Sequence, residues 1–288
     1  MSTYIKVKKD LEIAKLIGNI AQVYEYIYIS KVQKVRTRVL GSRQFVEGLS
    51  DIYNEVRIAF KTQVESVIKR RNNSILSKFN KKELAVVFMS SPIKATSEVQ
   101  NKVFNAFWNF VQSHKCDVYI VGKPALRLYE QRGGDVKSIK LIGVEEQLTG
   151  ELEIELDLIN SLSKYEKVQV FYGQYLSMAR QSDTQIELGS VIDGKKSGEQ
   201  FMPFLAEPDI KSLVKYFDEH LYSQMMKQLM NESYLANLGS RLLNLEQAIS
   251  NAEKQTKEMQ WKAIKIKKRY KNRKALAQLA GLNFWSVR

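Results

Sequence analysis

Four carboxylates lie within seven residues of one another: Glu151, Glu153, Glu155 and Asp157, alternating with Leu152, Ile154, Leu156 and Leu158. Clustered carboxylates are what a divalent cation binds. No glycine-bent ligand loop accompanies these, however, and a solvated face is the plainer reading. Cys116 is the single cysteine. That excludes an intramolecular disulfide framework and suits a reducing compartment. The two histidines, His114 and His220, have neither zinc-site spacing nor the partners of a His-driven triad. Gly133-Gly134 belongs to no phosphate loop, because neither GxGxxG nor GxxxxGK[ST] occurs. The expectation is a chain with no catalytic residue and no metal ligand.

The strongest local signal is a cationic run: Lys262, Lys265, Lys267, Lys268, Arg269, Lys271, Arg273 and Lys274, with Trp261 and Tyr270 interleaved. Three chemistries stay open for it. Cations can release counterions from a phosphate backbone while aromatic rings stack on bases. They can be a solvated helix face. They can also orient an acidic protein partner. Beyond the run come Leu276, Leu279, Leu282, Phe284 and Trp285, and such an apolar end is costly in water unless another surface receives it. A cationic collar below an apolar tip has the form of a plug for a socket.

Composition limits the classes. The chain has 288 residues, 45 Lys and Arg against 31 Asp and Glu, and 44% hydrophobic residues. That is enough apolar material for a folded core rather than a disordered chain. No run of about 18 apolar residues is present to span a bilayer. The opening MSTYIKVKKD reaches charge too early for a signal peptide. A cytosolic enzyme, a nucleic-acid binder and an interaction protein remain.

Proline shows how the chain is organised. Pro92, Pro124, Pro203 and Pro208 are the only four, so residues 1–91 and 209–288 have none and can form long helices. Charge divides at similar places. Residues 1–80 hold 15 basic and 7 acidic side chains, 81–206 hold 15 and 16, and 207–288 hold 15 and 8. In the last segment Leu235, Leu238, Leu242, Leu245, Ile249 and Ala252 alternate in steps of three and four, continuing through Thr256, Met259, Ala263, Ile266 and Tyr270. In the first, Val32, Val35, Val39, Ser42, Val46, Leu49, Tyr53, Val56 and Phe60 do the same. An earlier block, Ile13, Ile17, Ile20, Tyr24 and Ile27, is one step out of phase, which predicts a local change of winding near Ile29 to Val32. A 3-4 alternation keeps one seam facing a partner helix.

The expected fold is therefore α+α/β: a long antiparallel two-helix coiled coil from the terminal segments, 1–80 and 207–288, and a central Rossmann-like α/β domain over 83–195. In that domain Glu83–Met89 reads as a buried strand, Ser97–His114 as an amphipathic helix and Asp117–Gly122 as a strand. A Pro124-led helix runs to Gln131, Ser138–Ile142 is a third strand, and Glu145–Ser163 is a third helix. Lys167–Tyr175 and Thr184–Ile192 form a strand pair.

In this order the layout resembles the gamma subunit of F-type ATP synthases, over nearly the whole chain. Glu207-Pro208-Asp209 resembles the Glu-Pro-Asp that opens the family's C-terminal helix. Ser223-Gln224, Arg241-Leu242, Ala248, Asn251-Ala252 and Lys257-Glu258-Met259 follow at similar spacing. Ile20, Ser30-Lys31 and Ser42-Arg43-x-Phe45 match in the first helix. Cys116-Asp117-Val118 to Gly122 and Gly133-Gly134-Asp135-Val136 match in the middle. Two places depart. The family's Asp-Arg-Gly-Leu-Cys-Gly-Gly loop is replaced by Ser90-Ser91-Pro92-Ile93-Lys94-Ala95-Thr96, and its Arg-Gln pair falls on Lys267-Lys268, which keeps charge but loses a planar fork.

The resemblance implies a non-catalytic central shaft, coupling ATP hydrolysis or synthesis in a surrounding catalytic hexamer to rotation. It implies alpha- and beta-type ATPase subunits as partners, with an epsilon-type subunit and a membrane ring, or another membrane-attached machine, at the other end. ATP, ADP and Mg would be held by the partner subunits and no cofactor by this chain. Lys262, Lys265, Lys267, Lys268, Arg269 and Lys271 would contact the hexamer, and Leu276, Leu279, Leu282, Phe284 and Trp285 would form a bearing tip. Val39, Val46, Leu49 and Tyr53 would meet Leu235, Leu238, Leu242, Leu245 and Ile249 in the seam. The shaft would be peripheral, on the cytoplasmic side of the cell membrane. The departures would fit an F-type-like motor of wall-less bacteria linked to gliding. The alternatives from residues alone are a basic coiled-coil nucleic-acid-binding protein or a structural coiled-coil adaptor.

Overall fold

The computed structural model describes residues 2–60, 82–91, 97–146, 152–154, 158, 161–162, 165–188, 207 and 209–285. Two long helices frame the chain, α1 (Ser2–Ala59) and α4 (Ile210–Trp285). Between them lie β1 (Lys82–Met89), α2 (Glu98–Ser113), β2 (Asp117–Val121), α3 (Lys123–Gln131), β3 (Ile139–Ile142), β4 (Val144–Glu146), β5 (Leu152–Ile154), β6 (Tyr165–Ser177) and β7 (Arg180–Glu187). The chain divides into two compact units, Lys31–Arg241 and Met1–Ser30 with Leu242–Arg288.

In the larger unit five strands form one sheet in the order β3-β2-β1-β6-β7. The first three pairings are parallel and β6 with β7 is antiparallel. β1 is central, which explains its unbroken apolar run: Ala85, Val86, Val87, Phe88 and Met89 are all buried. Phe104 and Phe107 of α2 pack on Phe88 with ring centroids 5.5 and 5.2 Å away, and Phe107 meets Phe171 of β6 at 5.9 Å. The Ser97 side chain caps α2 by accepting from the Gln100 amide at 3.2 Å. Pro124 opens α3, where its missing N–H leaves nothing unpaired.

Of the stretch expected to be a third helix, Glu145–Ser163, the first part carries β4 and β5, paired antiparallel with Glu145 opposite Glu153, while Leu158, Ser161 and Leu162 are helical as expected. The physical reason is visible in the sequence, since Leu152-Glu153-Ile154 alternates with period two, as a strand does. Glu151, Glu155 and Asp157 lie outside the described residues. β7 begins at Arg180 rather than Thr184 and ends at Glu187, because the hairpin turn sits at Met178-Ala179. There the Gln181 side-chain amide donates to the Ser177 and Met178 carbonyls at 3.0 and 2.7 Å.

The phase slip expected in α1 does not occur. Half-buried or buried positions run Val7, Leu11, Ala14, Gly18, Ala21, Glu25, Tyr28, Val32, Val35, Val39, Ser42, Val46, Leu49, Tyr53 and Val56 without a skipped step. Ile13, Ile17, Ile20, Tyr24 and Ile27 are exposed instead. Small residues hold the inward positions there, so large apolar residues on the other face imitate a shifted seam.

Candidate protein-contact site

The polar contacts that fix α4 to the sheet start at the carboxyl end of β1. Ser233 Oγ donates to the Met89 carbonyl at 2.9 Å, and Asn237 Nδ2 donates to the Ser233 carbonyl at 2.8 Å. The Ser97 hydroxyl donates to Asn237 Oδ1, and Gln100 Nε2 donates to Ser90 Oγ at 2.6 Å. Ser90, Ser97, Gln100, Ser233 and Asn237 are all buried. In open α/β sheets the carboxyl ends of strands, at the point where strand order reverses, are where ligands usually bind. Here β1 lies at that point, between β2 and β6, and α2 and α4 engage its carboxyl end. Gly122, with φ of 97°, turns the chain from β2 into α3 with no Cβ to press on Ser90.

A second anchor joins α1 to α4. Arg43 Nε donates to Glu232 Oε1 at 2.7 Å, and Arg43 Nη2 donates to the Tyr175 carbonyl at 3.0 Å. Gln228 Nε2 donates to the same carboxylate oxygen at 3.2 Å. The hydrogen bond and charge of Glu232 raise the Arg43 guanidinium above its ordinary pKa. Tyr53 and Phe217 meet at 5.5 Å between ring centroids. Sequence reasoning missed Arg43–Glu232. The only trace was a charged Glu232 inside an otherwise buried stretch of α4.

The residues expected to do no chemistry are placed as follows. Cys116 is free and half-buried; burial, then the nearby Asp117 charge, pushes its thiol pKa up, away from reactive thiolate character. His114 is exposed and stacks on Phe110 at 4.1 Å between ring centroids, while His220 lies 4.1 Å from the Tyr216 ring. Among the described residues no three His, Cys, Asp or Glu gather to hold a metal ion. No helix among them is long and apolar enough to cross a membrane.

Of the expected seam, Val39, Val46, Tyr53, Leu235, Leu238 and Leu242 are buried, and Leu49, Leu245 and Ile249 are half-buried. Lys262, Lys265, Lys267, Lys268, Arg269 and Lys271 are all exposed on α4. Trp261 is 73% exposed, Leu276 66% and Leu279 59%, so this end of α4 offers apolar and cationic groups together. The α4 backbone continues helical through Leu282 and Phe284 to Trp285, whose side chains lie outside the described residues.

The arrangement defines a class: an α/β sheet domain carried between two long helices, with its exposed chemistry on one helix. A family model described as ATP synthase matches residues 4–268. The chain belongs to that family, and within it to the gamma chains, the central-stalk subunits of rotary ATPases. It is 20% identical over 269 residues to the ATP synthase gamma chain of Ruthia magnifica subsp. Calyptogena magnifica, covering 88% of this chain and 89% of the relative. It is 26% identical over 258 residues to the ATP synthase gamma chain of Amoebophilus asiaticus (strain 5a2), covering 83% and 84%. The fold is similar to a chain of the central stalk and c-ring structure of Tetrahymena thermophila mitochondrial ATP synthase. That match has a TM-score of 0.53 and 13% identity, over 80% of this chain and 99% of the other.

Proposed function

We propose that this chain is the turning shaft of an F-type or F-type-like ATPase, coupling nucleotide chemistry in a surrounding catalytic hexamer to rotation while performing none itself. The observation that carries it is the family match over residues 4–268, with long helices at both ends of the matched span. The helices pair as an antiparallel coiled coil. Two contacts within Lys31–Arg241 support this: Arg43 binds Glu232 and Tyr53 packs on Phe217, so that residue numbers rise on α1 as they fall on α4. The domain limits are 1–80, 83–195 and 207–288.

The hexamer is of alpha- and beta-type subunits, which hold ATP or ADP and Mg. Lys262, Lys265, Lys267, Lys268, Arg269 and Lys271 meet acidic segments of that ring, and Leu276, Leu279, Leu282, Phe284 and Trp285 form its apolar bearing. Hydrophobic contact is non-directional, so turning breaks no sequence of aimed bonds. Because the shaft is asymmetric, each ring subunit meets a different face. Nucleotide affinity and shaft angle are then linked reciprocally. The sheet domain lies outside the ring on the cytoplasmic side of the membrane and grips an epsilon-type subunit with a membrane ring, or another membrane-attached machine such as a gliding apparatus.

The test is reconstitution of the purified chain with the ring ATPase subunits, recording hydrolysis and the rotation of a probe fixed to the sheet domain. The expected result is rotation only with ring present and no turnover by the chain alone. Hydrolysis by the isolated chain, or a salt-sensitive complex with random duplex DNA and none with the ring, would sink the reading.

A further inference from the structure

Within the unit Lys31–Arg241, α4 is buried at every position from Asn231 to Ser240. A helix enclosed all round has two inward sides, and here their chemistry differs. At 3.6 residues per turn, Ser233, Ala236 and Asn237 fall on one side and Tyr234, Leu235 and Leu238 on the other. The second side is chiefly hydrocarbon.

The first side is keyed into the sheet domain. Ser233 Oγ donates to the Met89 carbonyl at the end of β1. Asn237 Oδ1 accepts from the Ser97 hydroxyl, whose oxygen in turn accepts from the Gln100 amide in the first turn of α2. Ala236 fits over Gly173 of β6, where a Cβ would come within 3.2 Å of its own. Met89, Ser97, Ser233 and Asn237 are each 1–2% exposed, so no water stands ready to replace a broken bond.

The two sides resist motion differently. Hydrocarbon contact is non-directional and can slide. A hydrogen bond needs both distance and alignment. An atom on the helix surface lies about 5 Å from the axis, so a twist of about 20° carries it nearly 2 Å, beyond hydrogen-bond range. The groups then left unpaired are fully buried, the costly case. By contrast, the Arg43 side chain that joins α1 to the Tyr175 carbonyl is 34% exposed, and water can stand in for it.

We propose that Ser233 and Asn237 lock the sheet domain to α4 against rotation about the helix axis, so that torque carried by α4 enters the domain at the end of β1 and the first turn of α2. The source of the torque rests on the rotor reading above, and the angular lock rests on the buried bonds themselves. The carboxyl end of the central strand is where a sheet of this kind takes a ligand. In this chain a segment of α4 stands there instead. Ser233 and Asn237 are positioning residues in this role.

The experiment uses the full chain. Spin labels at the exposed residues Glu130 of α3 and Lys227 of α4 report the distance between domain and helix. In Ser233→Ala/Asn237→Leu the distance distribution should widen while far-ultraviolet circular dichroism stays at wild type. If that variant does not fold, Ser97→Ala/Asn237→Leu replaces it, since removing both partners of a buried bond costs least. Reconstituted with the ring subunits, with a bead fixed to the sheet domain, the variant should stall under at most half the viscous load that stops the wild type, while hydrolysis continues. Leu238→Ala, on the opposite side of α4, weakens folding without touching the bonds and should keep the wild-type load.

A variant with wild-type distance width and wild-type load overturns the lock and leaves the rotor reading standing. An equal loss of load in Leu238→Ala also overturns it, because load would then follow stability alone. A wild-type chain that never turns with the ring overturns the rotor reading and the torque role together, whatever the distance width.

Discussion

Arg43 and Glu232, 189 residues apart in sequence, hold α1 against α4 through a 2.7 Å charge-assisted hydrogen bond. The Glu232 side chain is 4% exposed and that of Arg43 34%. Such a pair is costly to desolvate, and its value lies in what happens when one member is lost. Glu232 Oε2 has no hydrogen-bond partner among the described residues, so the carboxylate depends heavily on the guanidinium. The fork also reaches the Tyr175 carbonyl, tying the hairpin of β6 and β7 to the same point.

Arg43→Ala should therefore destabilise folding by about 3 kcal/mol, the order found when a buried ion loses its partner. Arg43→Lys should recover only part of this, because an ammonium has no planar fork to reach two acceptors. The Arg43→Ala/Glu232→Gln double variant should lose less than the two single losses added. Urea melts of the wild type, Arg43→Ala, Glu232→Gln and the double variant measure the coupling, and strict additivity would show that the pair contributes nothing.

Tyr172 gives an alkaline signature. It is buried, and burial first, then the Glu232 charge, pushes its phenol up to about 12, with Arg43 acting in the opposite direction. A phenol whose folded-state value exceeds its unfolded value of about 10 holds its full stabilising contribution below pH ~10 and loses it as pH rises toward about 12. The size is on the order of 2–3 kcal/mol. Unfolding free energy followed from pH 9 to 12 should fall more steeply in the wild type than in Tyr172→Phe. Parallel curves would mean the phenol titrates freely.

Gly173 on β6 is a test of close packing. A Cβ there would sit 3.0 Å from Val99 Cγ1 and 3.2 Å from Ala236 Cβ, so α2 and α4 both press on the strand at this residue. Gly173→Ala should cost about 1–3 kcal/mol by overpacking. Adding Val99→Ala should return part of the loss by removing the nearest methyl, which a comparison of thermal midpoints would detect.

How far the sequence foretells these relationships depends on their range. β1 was legible because Leu84 to Met89 is apolar without interruption, and α2 because Val99, Val103, Phe104 and Phe107 fall on one face. β5 was illegible because three residues, Leu152-Glu153-Ile154, are too short for a two-residue alternation to mark a strand without its pairing to β4. In α1 the inward positions Ala14, Gly18 and Ala21 are too small to announce a seam, while Ile13, Ile17 and Ile20 announce one that faces outward. The Arg43–Glu232 pair was illegible, since no local pattern links residues on opposite flanks of the chain. The cations of α4 stand together in the sequence from Lys262 onward, and Lys262, Lys265, Lys267, Lys268, Arg269 and Lys271 are exposed.

Those cations give the last prediction. Lys265, Lys267 and Lys268 are exposed, and the half-buried positions of this part of α4 are others, Met259, Ala263 and Ile266. Replacing the three with Glu reverses their charge without touching an inward residue, so far-ultraviolet circular dichroism and the unfolding midpoint should stay close to wild type. If the ring presents acidic segments to them, like charges then face one another, so the association rate should fall and its decline with added salt should weaken or reverse, because salt screens the repulsion. Hydrolysis by the reconstituted ring should persist while rotation per nucleotide drops, because the shaft no longer engages at each step. Lysine-to-glutamine variants at the same positions separate loss of attraction from added repulsion, and should give an intermediate defect. Unchanged rotation and hydrolysis in the Glu variant would show that the cationic run is a solvated face, the plainest of the three readings its composition allows.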